Sequence, residues 1–171
     1  MKNNVIIILL FLLWDSPIIA QNDWKKDSVL YLNAYNYIIN DSINQNKEIA
    51  VSDSIVDLDR FWFSQDIKNF FIEKEKVNRY RSTKDFRWFK PYYSYYIDSL
   101  FCKKNQQSNN ILFFSQIEDN MLRVDVLPCK KHVNKFDYNA VAYQNTGQIY
   151  LFIFDEEGII KMVFSREIVY D

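Results

Sequence analysis

Glycine, histidine and cysteine are all scarce. The chain of 171 residues holds two glycines, one histidine and two cysteines. Two isolated glycines cannot build a GxGxxG or GxxxxGK phosphate loop, nor a GxSxG nucleophile elbow. One histidine excludes HExxH and every multi-histidine metal site. Neither cysteine belongs to a CxxC pair, which removes zinc ribbons and thioredoxin-like motifs. The formal net charge is −1, so no global field draws in nucleic acid or an anionic membrane. No cofactor, no metal and no catalytic residue is assigned from the sequence, and no internal repeat is evident.

What is present is the composition of an ordinary folded protein, 49% hydrophobic and 25% charged. The chain opens with one positive charge at Lys2, and an unbroken apolar run follows from Val5 to Trp14. Asp15, Ser16 and Pro17 break that run. This is the layout of a secretory signal peptide, with cleavage expected after Ala20. The run falls well short of the ~20 residues that a membrane-spanning helix needs. An uncleaved N-terminal anchor is the alternative. The expected organisation is therefore a signal peptide over 1–20 and a single exported domain over 21–171. No membrane span is expected after cleavage. A domain of that length buries ~70% of its unfolded surface and needs neither metal nor dense disulfides to fold.

Along the mature chain, Asp23 or Asp27 is placed to cap a first helix reaching Ile43. Val29, Leu32, Tyr35, Ile39 and Ile43 recur at spacings of three and four and predict its inward stripe. Partial alternation over Glu48–Leu58 predicts a strand. Ser64 begins a second helix, with Asp66 in its first turn and Ile67, Phe70, Phe71 and Val77 inside. A short helix is expected over Tyr95–Phe101. From Ile111 the period changes to two. ILFFSQI, a turn at Glu118-Asp119-Asn120 and MLRVDVL predict a hairpin. A further strand is expected over Asp137–Gln144, then strands over Gln148–Phe154 and Ile159–Tyr170. Both glycines, Gly147 and Gly158, fall at expected hairpin turns where positive φ is wanted. IYLFIF, from Ile149 to Phe154, is apolar on both sides and predicts a central strand covered on both faces.

Helices first and strands afterwards indicate an α+β fold, with N-terminal helices on a curved antiparallel sheet of five or six strands. This order is similar to that of nuclear-transport-factor-2-like and cystatin-like folds. The analogy implies a cone-like half barrel, and fold alone fixes no function.

Few residues carry candidate chemistry. In an exported chain Cys102 and Cys129 most simply form one disulfide, worth ~3 kcal/mol if unstrained. Each also precedes two lysines, which would lower a thiol pKa, so a reactive thiol is the alternative. His132 reads as a solvated loop residue. Asp125, between Val124 and Val126 on an expected strand, is the one carboxylate whose burial is in question. The stretch around 79–96 interleaves basic and aromatic residues, and Arg79, Arg81, Arg87, Trp88, Phe89, Tyr92 and Tyr93 form the candidate interaction surface. Tyr, Trp and Arg are the types that anchor interfaces. The same aromatics could instead fill the core.

The leading expectation is a small exported, non-enzymatic domain that binds a protein or glycan partner and no nucleic acid. The runner-up is a cone-shaped protein with an interior small-molecule pocket, with or without catalysis. A structural envelope component is the third. Oligomeric state is open.

Overall fold

The structure is a computed structural model that describes residues 16–72, 92–101, 108–129 and 137–170. In chain order they form α1 (Ser16–Asn40), β1 (Ile49–Val56), a 3-10 turn (Phe61–Phe63), α2 (Ser64–Ile72), β2 (Tyr92–Tyr93) and α3 (Tyr95–Phe101). Then follow β3 (Asn110–Ser115), β4 (Met121–Pro128), α4 (Tyr138–Ala142), β5 (Thr146–Phe154) and β6 (Ile160–Val169). The α+β class stands. No helix among the described residues is long and apolar enough to cross a membrane.

The six strands form one open sheet in the order β2-β1-β3-β4-β5-β6. All pairings are antiparallel except β1 with β3, which run parallel. The sheet is thus mixed rather than purely antiparallel. The physical reason is connectivity: α2 and α3 lie between β1 and β3, so the chain crosses over instead of turning back.

Both faces of the sheet are covered. On one face Leu30, Tyr31, Ala34 and Ile38 of α1 and Ile97 and Phe101 of α3 pack on Leu112, Phe114, Leu122, Val124, Tyr150 and Phe152. On the other, Phe63 and Ile67 cover Met121, Ile149 and Leu151, while Val141 and Ala142 of α4 cover Ile111, Phe113 and Leu127. The double cover explains the unbroken apolar reading of β5, which is buried throughout from Ile149 to Phe154.

Three local expectations change. The inward stripe of α1 is Leu30-Tyr31-Ala34-Ile38, whereas Val29, Leu32, Ile39 and Ile43 are exposed. Val29, Leu32 and Ile39 recur at the same period as Leu30, Ala34 and Ile38, so two stripes fit and packing on the sheet selects the one that carries Ala34. The helix also ends at Asn40 instead of Ile43, and it begins at Ser16, ahead of both expected caps. Residues 138–142 are helical where a strand was expected, because the Asp137 side chain accepts from the Asn139 N–H at 3.0 Å and caps the turn.

Third, only one glycine sits in a turn. Gly158 has φ 84° in the β5–β6 hairpin, a conformation that L side chains avoid. Gly147 lies inside β5, and a Cβ there would come within 2.2 Å of Leu127 Cδ2. Close packing, not turn geometry, favours glycine at that position, since any larger residue would have to displace the Leu127 side chain. The β3–β4 turn falls where expected and uses no glycine. Asp119 and Asn120 both take positive φ, the pattern of a type I′ hairpin.

Candidate functional site

The polar centre of the fold lies on β4. Its alternate residues Leu122, Val124 and Val126 join the core under α1, which turns Arg123 and Asp125 to the opposite face. There they lie between two apolar clusters, with Arg123 2% and Asp125 0% exposed. The guanidinium donates Nε to Asp125 Oδ1 at 2.8 Å and Nη2 to Oδ2 at 2.9 Å, a two-pronged ion pair. Nη1 donates to the Asp59 carbonyl, and Nη2 also reaches Tyr170 Oη at 3.1 Å.

Two phenols complete the cluster. Tyr138 Oη donates to Asp125 Oδ2 at 2.7 Å, and Tyr170 Oη donates to the same oxygen. The two hydroxyl oxygens are 3.1 Å apart. Tyr138 is brought in by the capped turn of α4, and Tyr170 by the residue that follows β6. Each polar atom therefore spends its hydrogen bonds inside the cluster, as buried charges require.

The electrostatics follow from burial. Desolvation raises the Tyr138 and Tyr170 phenols well above their usual range, and the adjacent Asp125 carboxylate raises them further. Burial alone would lower the Arg123 guanidinium, but Asp125 beside it outweighs that and holds it charged. On the other face of the sheet, desolvation and the Asp41 carboxylate raise the Tyr150 phenol in the same way. Tyr150 Oη donates to Asp41 Oδ2 at 3.0 Å and accepts from Asn44 Nδ2 at 2.9 Å.

These three phenols give an alkaline signature. Their folded pKa values lie above the unfolded value of about 10, so the stability they confer is full below about pH 10. It falls as pH rises beyond that, because the unfolded chain releases protons that the folded chain retains. The fall steepens as each of the three phenols ionises in the unfolded chain. Urea melts between pH 8 and 11 should show this fall. Phenolate absorbance should rise together with unfolding, not ahead of it, for these residues.

Among the candidate interaction residues, Arg79, Arg81, Arg87, Trp88 and Phe89 lie outside the described residues. Tyr92 pairs with Ile55 and Tyr93 with Ser54 in β2. Tyr93 is 56% exposed, and its hydroxyl donates to Asp98 Oδ2 at 2.6 Å. Cys102 and His132 also lie outside the described residues, and so does any pairing of Cys102 with Cys129. Cys129 is half-buried against the apolar cluster that includes Phe113 and Leu127, and that burial pushes its thiol up. This is opposite to the shift an activated thiolate needs. Among the described residues, no three His, Cys, Asp or Glu side chains gather as metal ligands would.

Two surface features were not anticipated. Phe61 and Trp62 are 59% and 46% exposed and pack edge to face. The next residue, Phe63, is fully buried, and Asp59 Oδ1 accepts the Phe61 N–H at 2.7 Å. The exposed pair is thus mounted on a fixed base. The second feature is a shallow groove of about 650 Å³ beside α1, lined by Asn33, Asn36, Tyr37, Asn40, Asp41 and Ile159. Asn33 Nδ2 donates to the Gly158 carbonyl at 3.0 Å and ties α1 to the β5–β6 turn there.

Comparison with protein families, with characterised proteins and with solved structures finds no match.

Proposed function

We propose that the protein is an exported, non-catalytic interaction domain that engages another protein through an aromatic surface. The observation that carries this is the exposed Phe61–Trp62 pair on its buried Phe63 anchor. Rigid aromatic side chains offer large contact area at small entropic cost, which is why they dominate binding hot spots. The pair lies in the 3-10 turn directly before α2, upstream in sequence of the aromatic and basic stretch around 79–96. The buried Arg123–Asp125 cluster is better suited to holding the sheet to its cover than to chemistry, since its acceptors and donors are mutually engaged.

Capture from the native envelope fraction with the full chain as bait tests the reading. Phe61→Ala/Trp62→Ala and Trp88→Ala/Phe89→Ala are each expected to weaken capture of the same partner at least about thirtyfold, for truncations worth about 2 kcal/mol or more. Equal recovery with both variants would overturn it.

The groove beside α1 supports a second reading, a glycan site. Three asparagine amides and Asp41 flank the half-exposed Tyr37 ring, a combination that suits hydroxyl groups and the apolar face of a sugar. Binding of envelope glycan fragments that Tyr37→Ala abolishes would favour it.

A further inference from the structure

The second apolar stripe of α1 is left without a cover. Val29, Leu32 and Ile39 stay 47, 40 and 37% exposed, and Asn36 between them is exposed as well. Of the residues in that stripe only Tyr35 packs inward, against Phe101 at 4.8 Å. Leu30, Ala34 and Ile38 hold the helix on the sheet, so Val29, Leu32, Asn36 and Ile39 lie on the side facing away from it. Large exposed apolar residues aligned on one helix face mark a contact surface.

The spacing along this face is three, four, three, all within the helix. That is the repeat of a two-stranded coiled coil, with Val29 and Asn36 at a and Leu32 and Ile39 at d. A β-branched residue at a with leucine at d favours two strands, and one asparagine at a fixes how they pair. In a parallel, in-register pair every layer meets itself. The two Asn36 amides then donate to and accept from each other, while Val29, Leu32 and Ile39 meet apolar mates. An antiparallel pair sets a against d. Asn36 would then face Leu32, Ile39 or Lys25, and none of these offers both a donor and an acceptor. Beside the parallel seam Ser28 meets Asn33 and Tyr35 meets Asn40, so no charge opposes the approach there. The pair also brings the starts of both α1 helices to one end. On that side the same period reaches Lys25, where a like charge bounds the seam. From Val29 to Ile39 the contact is about 15 Å long at 1.5 Å per residue. An interface of that size belongs to the weak, transient class. Both helices are already held by their own sheets, so pairing orders no new backbone.

We infer that the protein forms a weak two-fold homodimer by parallel, in-register pairing of the outer face of α1 with the same face of a second copy. The self-match at Asn36 selects a second copy as the occupant. A lipid surface would bury that amide with no partner. The inference stands apart from the proposed aromatic interface, which involves other residues.

Sedimentation equilibrium on the purified protein over a concentration series reaching about 1 mM tests it. The wild type is expected to pass from monomer to dimer within that range. Leu32→Lys, which sets two like charges in one layer, should raise the dissociation constant at least about tenfold. Asn36→Cys should cross-link to its own mate on mild oxidation, faster than the wild type with its native cysteines alone. Both positions are exposed, so thermal melts by circular dichroism should stay close to wild type and confirm folding. The inference is overturned by a wild type that stays monomeric throughout, by a dimer indifferent to Leu32→Lys, or by an Asn36→Cys variant that cross-links no faster than wild type. A monomer that binds phosphatidylcholine vesicles through Leu32 would overturn it and assign the face to lipid. Dissociation of the dimer by Phe61→Ala/Trp62→Ala would also overturn it and assign self-association to the aromatic surface.

Discussion

Asp125→Ala is expected to destabilise the protein by about 3–5 kcal/mol, among the largest single effects available. The carboxylate has no exposure and accepts from Arg123, Tyr138 and Tyr170. Removing it leaves a guanidinium that is 2% exposed with only the Asp59 carbonyl and a phenol as partners. Arginine cannot escape by losing its proton, so the buried charge stays uncompensated. For a domain of this size the loss corresponds to a melting point lower by roughly 10 °C. Removing both charges tells a different story. Arg123→Met/Asp125→Leu takes away the ion pair and its desolvation together, and should cost far less than the single change. The two phenols, already 3.1 Å apart, can then bond to each other. Equilibrium urea unfolding of both variants checks the order. Equal losses would mean that the pair adds net stability beyond what its burial costs.

Phe152→Ala is expected to cost about 3–5 kcal/mol for a different reason, the cavity it leaves. Phe152 is fully buried at the centre of β5, stacked between Tyr150 and Phe154 at 6.2 and 6.1 Å. It also takes the edge of Tyr37 at 5.5 Å. Strands on both sides and α1 above leave little room to collapse into the void. Trp62→Ala provides the contrast. It deletes a larger ring that faces solvent, so stability should change by no more than about 0.5 kcal/mol. A loss there comparable to that at Phe152 would show that the exposed aromatic pair is held by contacts outside the described residues.

These two sites also show what could be read from the chain in advance. The double cover of β5, which lies one strand in from the edge, was legible because a strand covered on both faces has nowhere to put polar residues. The β3–β4 turn was legible because Glu118-Asp119-Asn120 interrupts two apolar runs. The inward face of α1 was not, since Val29, Leu32 and Ile39 fit the helical period as well as Leu30, Ala34 and Ile38 do. Residues 138–142 misled for a related reason: Ala140, Val141 and Ala142 satisfy either period over so short a span. There the Asp137 cap was the better signal. The parallel pairing of β1 with β3 was out of reach, because alternation along a strand says nothing of which neighbour it joins.

Of the buried cluster, only Asp125 stood out, as a carboxylate between valines on a strand. Arg123 lies two residues away and could have been paired with it by parity, since both leave the same face of β4. Tyr138 and Tyr170 could not have been found. They are 13 and 45 residues from Asp125 and meet it only when α4 and the end of β6 close over the sheet. The aromatic composition was visible throughout. Which rings fill the core and which face outward depends on tertiary packing, and Phe61 and Phe63, two residues apart, take opposite fates.

The central claim is that partner binding resides on the aromatic surface while the buried ion pair serves the fold. One capture experiment sets the two against each other. Full-length Phe61→Ala/Trp62→Ala and Arg123→Met/Asp125→Leu are used as baits at a temperature where both are folded. The account predicts that the surface variant loses the partner and the core variant keeps it. Retention by the surface variant together with loss by the core variant would contradict it and return the buried cluster to consideration as the working site.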